Sequence, residues 1–320
     1  MSLRTLTHDF HRFFGLKFEK TISSFRNKYA IYNIAKNEYV INGNNILFKK
    51  LNLEIPASLA TPILERYQNA LNLVSKGNFT FFLSNEELYV RNEKLEFRIN
   101  DEEELFILTE VFLEGSYNLV SPTKKKIALI DVGMNVGITT LFYASKENVD
   151  KVFSFEPFVP TFSMAQQNVK LNKKYSDKIE VNNFGLAKED SELKLDYSTT
   201  QKGRMGIGGL PKSAGYIAAG VSQQKVHLKK AANEFSKIKN KISNHFVVCK
   251  IDCEGAEYEI IDSLNNSNLI SFVDVYFIEW HEINPSSIVS SLVSNNYNVI
   301  ETSFRLLNTG MIYAIKKDIS

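Results

Sequence analysis

The sequence contains little of what holds a disulfide-rich or zinc-binding module together. Its 320 residues include only two cysteines, so neither a disulfide framework nor a cysteine-based zinc site is expected. No apolar stretch is long enough to span a bilayer. The 38 lysines and arginines are balanced by 36 aspartates and glutamates, which does not indicate nucleic acid as a partner. These absences favour a globular protein in a reduced, cytoplasmic setting.

The most informative stretch is DVGMNVG at residues 131–137, which follows an apolar strand and opens into a helical pattern. Glycines let a backbone pass close to a ligand, and the first turn of a helix offers it unpaired N–H groups. Gly133 and Gly137, with Asn135 between them, do not make the three-glycine dinucleotide fingerprint. Asp131 suits a cationic group such as a sulfonium. The stretch therefore predicts a nucleotide-type cofactor site, with ordinary turn chemistry as the alternative.

Two further apolar runs end in polar residues at the spacing of a βαβ unit. Val152–Phe155 leads to Glu156, about 20 residues beyond the glycine turn, where such folds bind the two hydroxyls of a ribose. Capping of a helix that starts at Pro157 or Pro160 is the other explanation of this carboxylate. The next run, Ile179–Val181, leads to Asn183, which is a further candidate for cofactor binding.

Titratable side chains also follow two later strands. The apolar run Phe246–Val248 leads to Asp252, Glu254 and Glu257. A parallel strand delivers its C-terminal residues to the crevice where ligands bind, so Asp252 and Glu254 are predicted to be functional. Stabilisation of a helix N-terminus explains Glu257 equally well. His281 ends the strand expected beside them and is a candidate general base near neutral pH.

Together these motifs resemble the FkbM family of S-adenosylmethionine-dependent methyltransferases. The matching pieces occur in the family's order over roughly residues 105–315, and they are DVGMNVG (131–137), FEP (155–157), GLAKED (185–190), KIDCEGAE (250–257) and FIEWH (277–281). The resemblance implies a class I methyltransferase (Rossmann-like) fold and O-methylation of a hydroxyl group. It implies S-adenosylmethionine as the cofactor, with S-adenosylhomocysteine as its product.

The resemblance also implies residue roles. The methionine part of the cofactor would be lined by Asp131, Gly133, Asn135 and Gly137. Glu156 would bind the ribose, and Asp252 would lie close to the transferred methyl group. A sugar in a glycan or glycolipid is the favoured acceptor, by family analogy alone. O-methylation of a small secondary metabolite and a non-catalytic S-adenosylmethionine-binding protein are the alternatives.

The expected reaction is an in-line attack of a hydroxyl oxygen on the methyl carbon of the sulfonium. Asp252, Glu254 and His281 are the candidate catalytic residues, each able to accept the hydroxyl proton. Carboxylates at this place could instead bind Mg²⁺, which would activate a sugar hydroxyl. The metal-free route is favoured and no metal site is predicted, because the sequence fixes no coordination geometry.

Strands and helices alternate from Lys126 to Ser294, which predicts an α/β, doubly wound, mostly parallel sheet. Tyr297–Ser303 and Gly310–Lys316 would add a C-terminal antiparallel hairpin. Three regions are expected. Residues 1–36 form a basic amphipathic helical segment, residues 37–104 a small α+β region, and residues 105–320 the methyltransferase domain.

Further predictions concern the parts around that domain. Within the α+β region we expect a hairpin over Tyr39–Phe48 with an Asn42-Gly43 turn and a second over Glu87–Ile99, and a helix over Asp101–Leu113 is expected to follow. Apolar residues recur at helical spacing among basic ones in residues 1–30. That stripe fits peripheral contact with an anionic membrane, or packing within the protein or a homo-oligomer.

The glycine-rich stretch from Gly203 to Gly220 is expected to be a lid over the crevice, with a plain linker as the alternative. Lys202 and Arg204 would then meet an anionic acceptor.

Overall fold

The computed structural model describes residues 34, 37–118, 125–198, 206, 221–303 and 308–318. The chain divides into two compact units, Met1–Gly115 and Ser116–Ser320. The predicted boundary between residues 104 and 105 falls inside the helix Glu102–Thr109, so the structure divides the chain further along. The amphipathic segment 1–30 and all of the predicted lid except Gly206 lie outside the described residues. None of the described helices is long and apolar enough to cross a membrane.

The first unit contains two small antiparallel sheets and a set of helices. One sheet joins β1 (Tyr39–Asn42), β2 (Asn45–Phe48) and β3 (Leu53–Pro56), and the other joins β4 (Thr80–Ser84), β5 (Glu87–Arg91) and β6 (Glu96–Ile99). The helices are α1 (Thr61–Glu65), α2 (Tyr67–Gly77) and α3 (Glu102–Thr109). Both predicted hairpins are present, and each has a third strand that the sequence did not indicate.

Local chemistry explains the turn and the helix start in this unit. Asn42 pairs with Asn45, so the central turn residues are Gly43 and Asn44, whereas Asn42 and Gly43 were expected. Gly43 has φ +60°, a left-handed value that glycine adopts without strain. Helix α3 begins after Asp101, whose carboxylate accepts a hydrogen bond from the Glu103 N–H at 3.1 Å. The chain then continues as a π-helical turn over Glu110–Glu114, which confirms the predicted helix in this stretch.

The second unit carries the remaining described elements. Its strands are β7 (Ile127–Val132), β8 (Val149–Phe155), β9 (Ile179–Asn182), β10 (Gly185–Ala187), β11 (Ser191–Ser198), β12 (Val221–Lys230), β13 (Phe246–Ile251), β14 (Val275–His281), β15 (Tyr297–Glu301) and β16 (Thr309–Lys316). Its helices are α4 (Ile138–Ala144), α5 (Val159–Leu171), α6 (Ala231–Lys241), α7 (Glu257–Asn266) and α8 (Ser286–Ser294).

Seven of these strands form one sheet in the order β15-β16-β14-β13-β7-β8-β9. The strands from β14 through β9 are parallel, and β16 runs antiparallel to both of its neighbours. This arrangement confirms the predicted doubly wound, mostly parallel sheet with its antiparallel C-terminal hairpin. Every residue of β7 and β13 is buried, as expected for central strands covered on both faces. The carboxyl ends of β7, β8, β13 and β14 therefore meet along one edge.

A second sheet, in the order β10-β12-β11, interrupts the predicted alternation of strands and helices. In β11 the side chains of Leu193, Leu195 and Tyr197 are shielded, while the charged residues between them are exposed. Those three pack against a small cluster that includes Phe158 and Val226. The inserted sheet thus has its own apolar face, placed beside the carboxyl end of β8.

We expect Ile130→Ala to lower the free energy of unfolding by about 2–5 kcal/mol, because Ile130 is completely buried in central strand β7. Ile300→Ala is the matched control. Ile300 is 67% exposed on edge strand β15, so its removal should cost less than about 1 kcal/mol. Trp280, the single tryptophan, is buried in the second unit and reports its unfolding in urea by fluorescence. Similar losses from both substitutions would contradict this placement of the core.

Candidate functional site

The glycine turn after β7 is locked between the ends of the two neighbouring strands. Gly133 has φ +82°, and the N–H groups of Gly133 and Met134 donate to the Phe155 carbonyl at 3.1 and 2.9 Å. A Cβ placed on Gly133 would lie 1.7 Å from the carbonyl oxygen of Asp252. Both the conformation and the lack of space therefore require glycine at this position.

The second half of the turn is held from helix α5. Asn135 and Gly137 have φ +51° and +85°, and Gly137 directly precedes α4. A Cβ on Gly137 would meet Ala165 at 3.6 Å, an ordinary contact, so only the backbone conformation calls for glycine. The buried Asn168 side chain donates to the Val136 carbonyl at 2.9 Å. The turn is thus fixed before any ligand binds.

Glu156, at the end of β8, points its carboxylate at this turn. One oxygen accepts the Asn135 N–H and the other accepts the Phe158 N–H, both at 3.0 Å. Burial raises the pKa of Glu156 to about 7, although the two N–H groups oppose that shift. Asn183 donates to the carbonyls of Glu156 and Pro157 at 2.9 and 3.3 Å, so it braces the chain that carries the carboxylate.

Asp131 lies deeper than the other predicted cofactor residues. Its side chain is completely buried, and one oxygen accepts a hydrogen bond from the Thr140 hydroxyl at 2.7 Å. The other oxygen lies 3.4 Å from the ammonium of Lys250. Burial raises the pKa of Asp131, and the charge of Lys250 is the largest influence against that rise. The structure therefore places Asp131 behind the turn.

The loop after β13 carries Asp252 and Glu254 and is shaped by Glu257. Glu254 and Gly255 have φ +54° and +111°, so the chain turns sharply here. The completely buried Glu257 carboxylate accepts the N–H groups of Cys253 and Gly255 at 3.2 and 2.9 Å. Glu257 therefore holds the loop in place as well as starting helix α7.

His281, at the end of β14, joins this loop through both ring nitrogens. Its Nδ1 lies 3.0 Å from Glu257 Oε1, and its Nε2 lies 3.6 Å from Glu254 Oε2 and 3.7 Å from Glu279 Oε1. Burial would lower the pKa of His281, but the hydrogen bond to Glu257 and the nearby carboxylates raise it to about 10. The structure thus brings together all three predicted catalytic residues, Asp252, Glu254 and His281.

Asp252, Glu279 and His281 each offer one ligand atom, and these atoms lie within 4.8 Å of one another. Over the described ranges this is the one such group of histidine, cysteine and acidic residues. Two carboxylates and an imidazole are side chains that could share a divalent cation. The absence of a metal was predicted from the sequence, and it stays a prediction.

A cavity of about 680 Å³, measured with its open mouth, lies at the ends of β7, β8 and β13. Its polar lining includes Gly133, Asn135, Glu156, Asp252 and Glu254. Its apolar lining comes from the chain after β8 and from the inserted sheet, and it includes Pro157, Phe158, Leu186, Leu195, Val226 and Leu228. The cavity therefore has a carboxylate-lined part and an apolar part, as small-molecule sites commonly do.

Sequence reasoning assigned no role to Lys250 or to the wall formed by the inserted sheet, and it did not foresee that Glu257 binds the loop and His281. Lys250 did carry a signal, because it is the one charged residue in the otherwise apolar run Phe246–Ile251. Lysine is almost never fully buried without a partner, so such a residue indicates a buried ion pair. The wall was harder to find, since β11 exposes charged residues at every second position.

We expect Gly133→Ala to destabilise the second unit by about 4 kcal/mol or more, because its Cβ would overlap the Asp252 backbone. Gly255→Ala is the control. Gly255 has φ +111° but open space around it, so alanine there should cost about 1–2 kcal/mol of backbone strain. Urea unfolding followed by Trp280 fluorescence measures both. Equal losses would mean that the close contact at Gly133 is absent.

Comparison with known proteins agrees with the motifs in this site. The family model described as Methyltransferase FkbM domain matches residues 131–299, more than half of the chain. A curated relative named Methyltransferase 1, from Beauveria bassiana (strain ARSEF 2860), is 24% identical over 172 residues. That alignment covers 51% of this chain and 68% of the relative.

Solved structures are more distant. Methyltransferase FkbM from Methylobacillus flagellatus KT has a TM-score of 0.42 at 12% identity, over 64% of this chain and 47% of that one, so the match spans about half of that protein. The METTL16 MTase domain has a TM-score of 0.43 at 14% identity, over 97% of this chain and 95% of that one.

The family match covers the glycine turn, Glu156, the Asp252 loop and His281, which are the motifs that carried the resemblance in the sequence. The chain therefore belongs to the FkbM methyltransferase family, and it is an S-adenosylmethionine-dependent methyltransferase.

Proposed function

We propose that this protein transfers the methyl group of S-adenosylmethionine to a hydroxyl group of a sugar in a glycan or glycolipid. One observation carries the proposal. The cavity has an apolar part, a buried carboxylate at the glycine turn, and a carboxylate-rich loop beside its mouth. The sugar is inferred from family analogy, and the hydroxyl from the chemistry of the loop.

The side chains of the cavity fit the parts of the cofactor. Glu156 offers carboxylate oxygens suited to the two ribose hydroxyls. The apolar lining from Phe158, Leu195 and Leu228 suits the adenine ring, since flat apolar groups are held by burial. Gly133 lies in the wall where the methionine part would bind, and Asp252 supplies negative charge for its cationic groups.

When bound, S-adenosylmethionine supplies an electrophilic methyl carbon on a positively charged sulfur. That methyl group would pass to the oxygen of the acceptor hydroxyl, and the leaving group would be the neutral sulfide of S-adenosylhomocysteine. The hydroxyl proton passes to a base of the protein. Alignment of the two reactants supplies much of the rate, with effective molarities of about 10⁵ M or more in well-oriented systems.

We assign the base to a carboxylate of the loop, and Glu254 is the first candidate. His281 has a pKa of about 10 in this arrangement, so near neutral pH the imidazolium has no free nitrogen to accept a proton. Its Nδ1 faces Glu257 and its Nε2 faces Glu254 and Glu279. His281 then orients the carboxylates, while Glu254, which lines the cavity, receives the proton.

The loop also favours a hydroxyl over a nucleobase amine. Enzymes that methylate amino groups of bases carry an Asn/Asp-Pro-Pro-aromatic motif after the corresponding strand, and here Asp252-Cys253-Glu254-Gly255 follows β13. The carboxylates would repel an anionic acceptor, so a neutral sugar hydroxyl is the better partner. A hydroxyl of a small secondary metabolite satisfies the same chemistry, and acceptor screening separates the two.

We expect the affinity for S-adenosylhomocysteine to fall as the pH drops below about 7. Glu156 holds its proton more tightly in the folded than in the unfolded chain, because its pKa is raised to about 7 in the fold. Protonation of Glu156 therefore stabilises the unligated fold at low pH, and this stabilisation is lost as the pH rises through about 7. Hydroxyl donors need the ionised carboxylate, so the ligand must displace the proton. Calorimetry between pH 6 and 8 should show affinity approaching a tenfold loss per pH unit, roughly, below the pKa.

Glu156→Gln should remove this pH dependence and weaken binding at pH 8 by about 10- to 100-fold, because a charge-assisted hydrogen bond is lost. Glu180→Gln is the control, since Glu180 is a half-exposed carboxylate paired with Lys241. It should leave the curve unchanged. An unaltered pH curve in Glu156→Gln would show that the ribose does not bind Glu156.

For the reaction itself, we expect Glu254→Gln to lower methyl transfer by about 10²- to 10⁴-fold through loss of the base. Its affinity for S-adenosylhomocysteine should change little, whereas Asp252→Asn should affect both quantities. Release of S-adenosylhomocysteine with a panel of neutral glycans, glycolipids and hydroxylated metabolites measures transfer. Binding without transfer to any acceptor would favour the non-catalytic alternative, and full activity of Glu254→Gln would place the base elsewhere.

A further inference from the structure

Lys250 occupies a buried position that joins three polar groups from different parts of the site. It lies in strand β13, and its side chain is only 4% exposed. Its ammonium donates to the Gly133 carbonyl at 2.6 Å and lies 3.3 Å from Asp252 Oδ2 and 3.4 Å from Asp131 Oδ1. One cation therefore meets the glycine turn, the loop after β13 and the end of β7.

On its inner side, Lys250 is held by an anchored carboxylate. Asp131 is completely buried, and its second oxygen accepts the hydroxyl of Thr140 from helix α4 at 2.7 Å. Thr140 lies 2.7 Å from the hydroxyl of Ser154 in β8. This network reaches from β8 through α4 and β7 to β13, so Asp131 has little freedom to move toward a ligand.

On its outer side, Lys250 contacts two groups that line the cavity. Gly133 and Asp252 both belong to the cavity wall. Their approach is already so close that no Cβ fits between them, and the ammonium binds the carbonyl of one and the carboxylate of the other. A shift of the Lys250 ammonium would therefore change the positions of the Gly133 carbonyl and the Asp252 carboxylate together.

We propose that Lys250 is a positioning residue, through which the buried Asp131 fixes the Gly133 carbonyl and the Asp252 carboxylate at the cofactor site. Asp131 then shapes that site without touching the cofactor. This inference rests on the proposed binding of S-adenosylmethionine in the cavity. It differs from the role that the family resemblance implies for Asp131, which is direct contact with the methionine part.

The charges support a permanent role for this lysine. Lys250 lies between two carboxyl groups, and the more exposed of them is that of Asp252, on the cavity side. A carboxylate on that side suits a cationic ligand. Removing the lysine would leave a buried carboxylate and a carbonyl without their cation. This loss destabilises the fold more than replacing the whole buried ion pair by apolar side chains would.

A double-mutant cycle on the full chain separates the two roles of Asp131. Dissociation constants for S-adenosylhomocysteine are measured for wild type, Asp131→Asn, Lys250→Met and the double variant. We expect Lys250→Met to weaken binding by about tenfold or more. Asp131→Asn should weaken it by a similar factor in wild type, but by less than about threefold in the Lys250→Met background, because its effect passes through the lysine. Additive losses would overturn the proposal by giving Asp131 a contact of its own.

Two further variants distinguish positioning from general stability. Lys250→Arg, which keeps the charge and the donors, should bind at least about fivefold more tightly than Lys250→Met, and equal binding by the two would overturn the proposal. Lys178→Met removes another lysine whose ammonium binds backbone carbonyls, those of Ala144, Lys146 and Val149. It should leave the dissociation constant unchanged, and a loss equal to that of Lys250→Met would overturn the specific role.

The same measurements distinguish failure of the proposed function from failure of the role of Lys250. If folded wild type binds no S-adenosylhomocysteine, the proposed function fails, whereas wild-type affinity in folded Lys250→Met overturns only the role of Lys250. If Lys250→Met does not fold alone, the double variant is compared with Asp131→Asn. Because the cycle closes, the added loss of Lys250 should then weaken binding by less than about threefold, and a further loss of about tenfold would overturn the proposal.

Discussion

A close backbone approach between Gly133 and the Asp252 carbonyl sets the positions of most other groups in the site. Strands β7 and β13 are neighbours in the sheet, with Asp131 opposite Lys250, and their chains remain in contact after the strands end. Because residue 133 has no Cβ, the glycine turn after β7 and the loop after β13 contact each other directly, and the cavity lies on their outer side. At this separation the ammonium of Lys250 contacts both turns. This wall of the cavity thus depends on one missing side chain and one buried cation.

Carboxylates in this site are held by different partners and therefore have different tasks. Glu156 accepts two backbone N–H groups, Asp131 is paired with Lys250, and Glu257 binds the loop and His281. Glu254 and Asp252 remain at the cavity surface. Because their surroundings differ, these carboxyl groups have different affinities for protons, which acid–base chemistry requires. The positive charge of His281 lies among the carboxylates and offsets their mutual repulsion.

Much of this arrangement could be predicted from the sequence, because parallel strands bring their carboxyl ends to one edge. Gly133, Glu156, Asp252 and His281 all follow apolar runs, and the structure brings them to that edge. How deeply each of these side chains is buried could not be predicted from the sequence. Asp131 follows the same rule, yet a lysine on the adjacent strand and Thr140 on α4 hold it inside. A role of this kind depends on contacts between elements far apart in the chain.

The inserted sheet was missed for a related reason. Strand β11 alternates exposed charges with shielded apolar residues, and its partner β12 lies beyond a long glycine-rich stretch. Pairing between such distant segments leaves little local trace. The division after Gly115 leaves little mark in the sequence, because α3 and its π-helical continuation form one helical stretch without a break.

The position of the inserted sheet has an evolutionary consequence. Leu195, Val226 and Leu228 contribute to the cavity, yet they belong to a ribbon added to the seven-stranded sheet and not to its central strands. Substitutions at these inward positions can widen, narrow or reshape the apolar part of the cavity while β7 and β13 keep their packing. Natural variation and laboratory selection can therefore change which molecules fit the cavity through substitutions in this added sheet, while the edge of the central sheet stays unchanged.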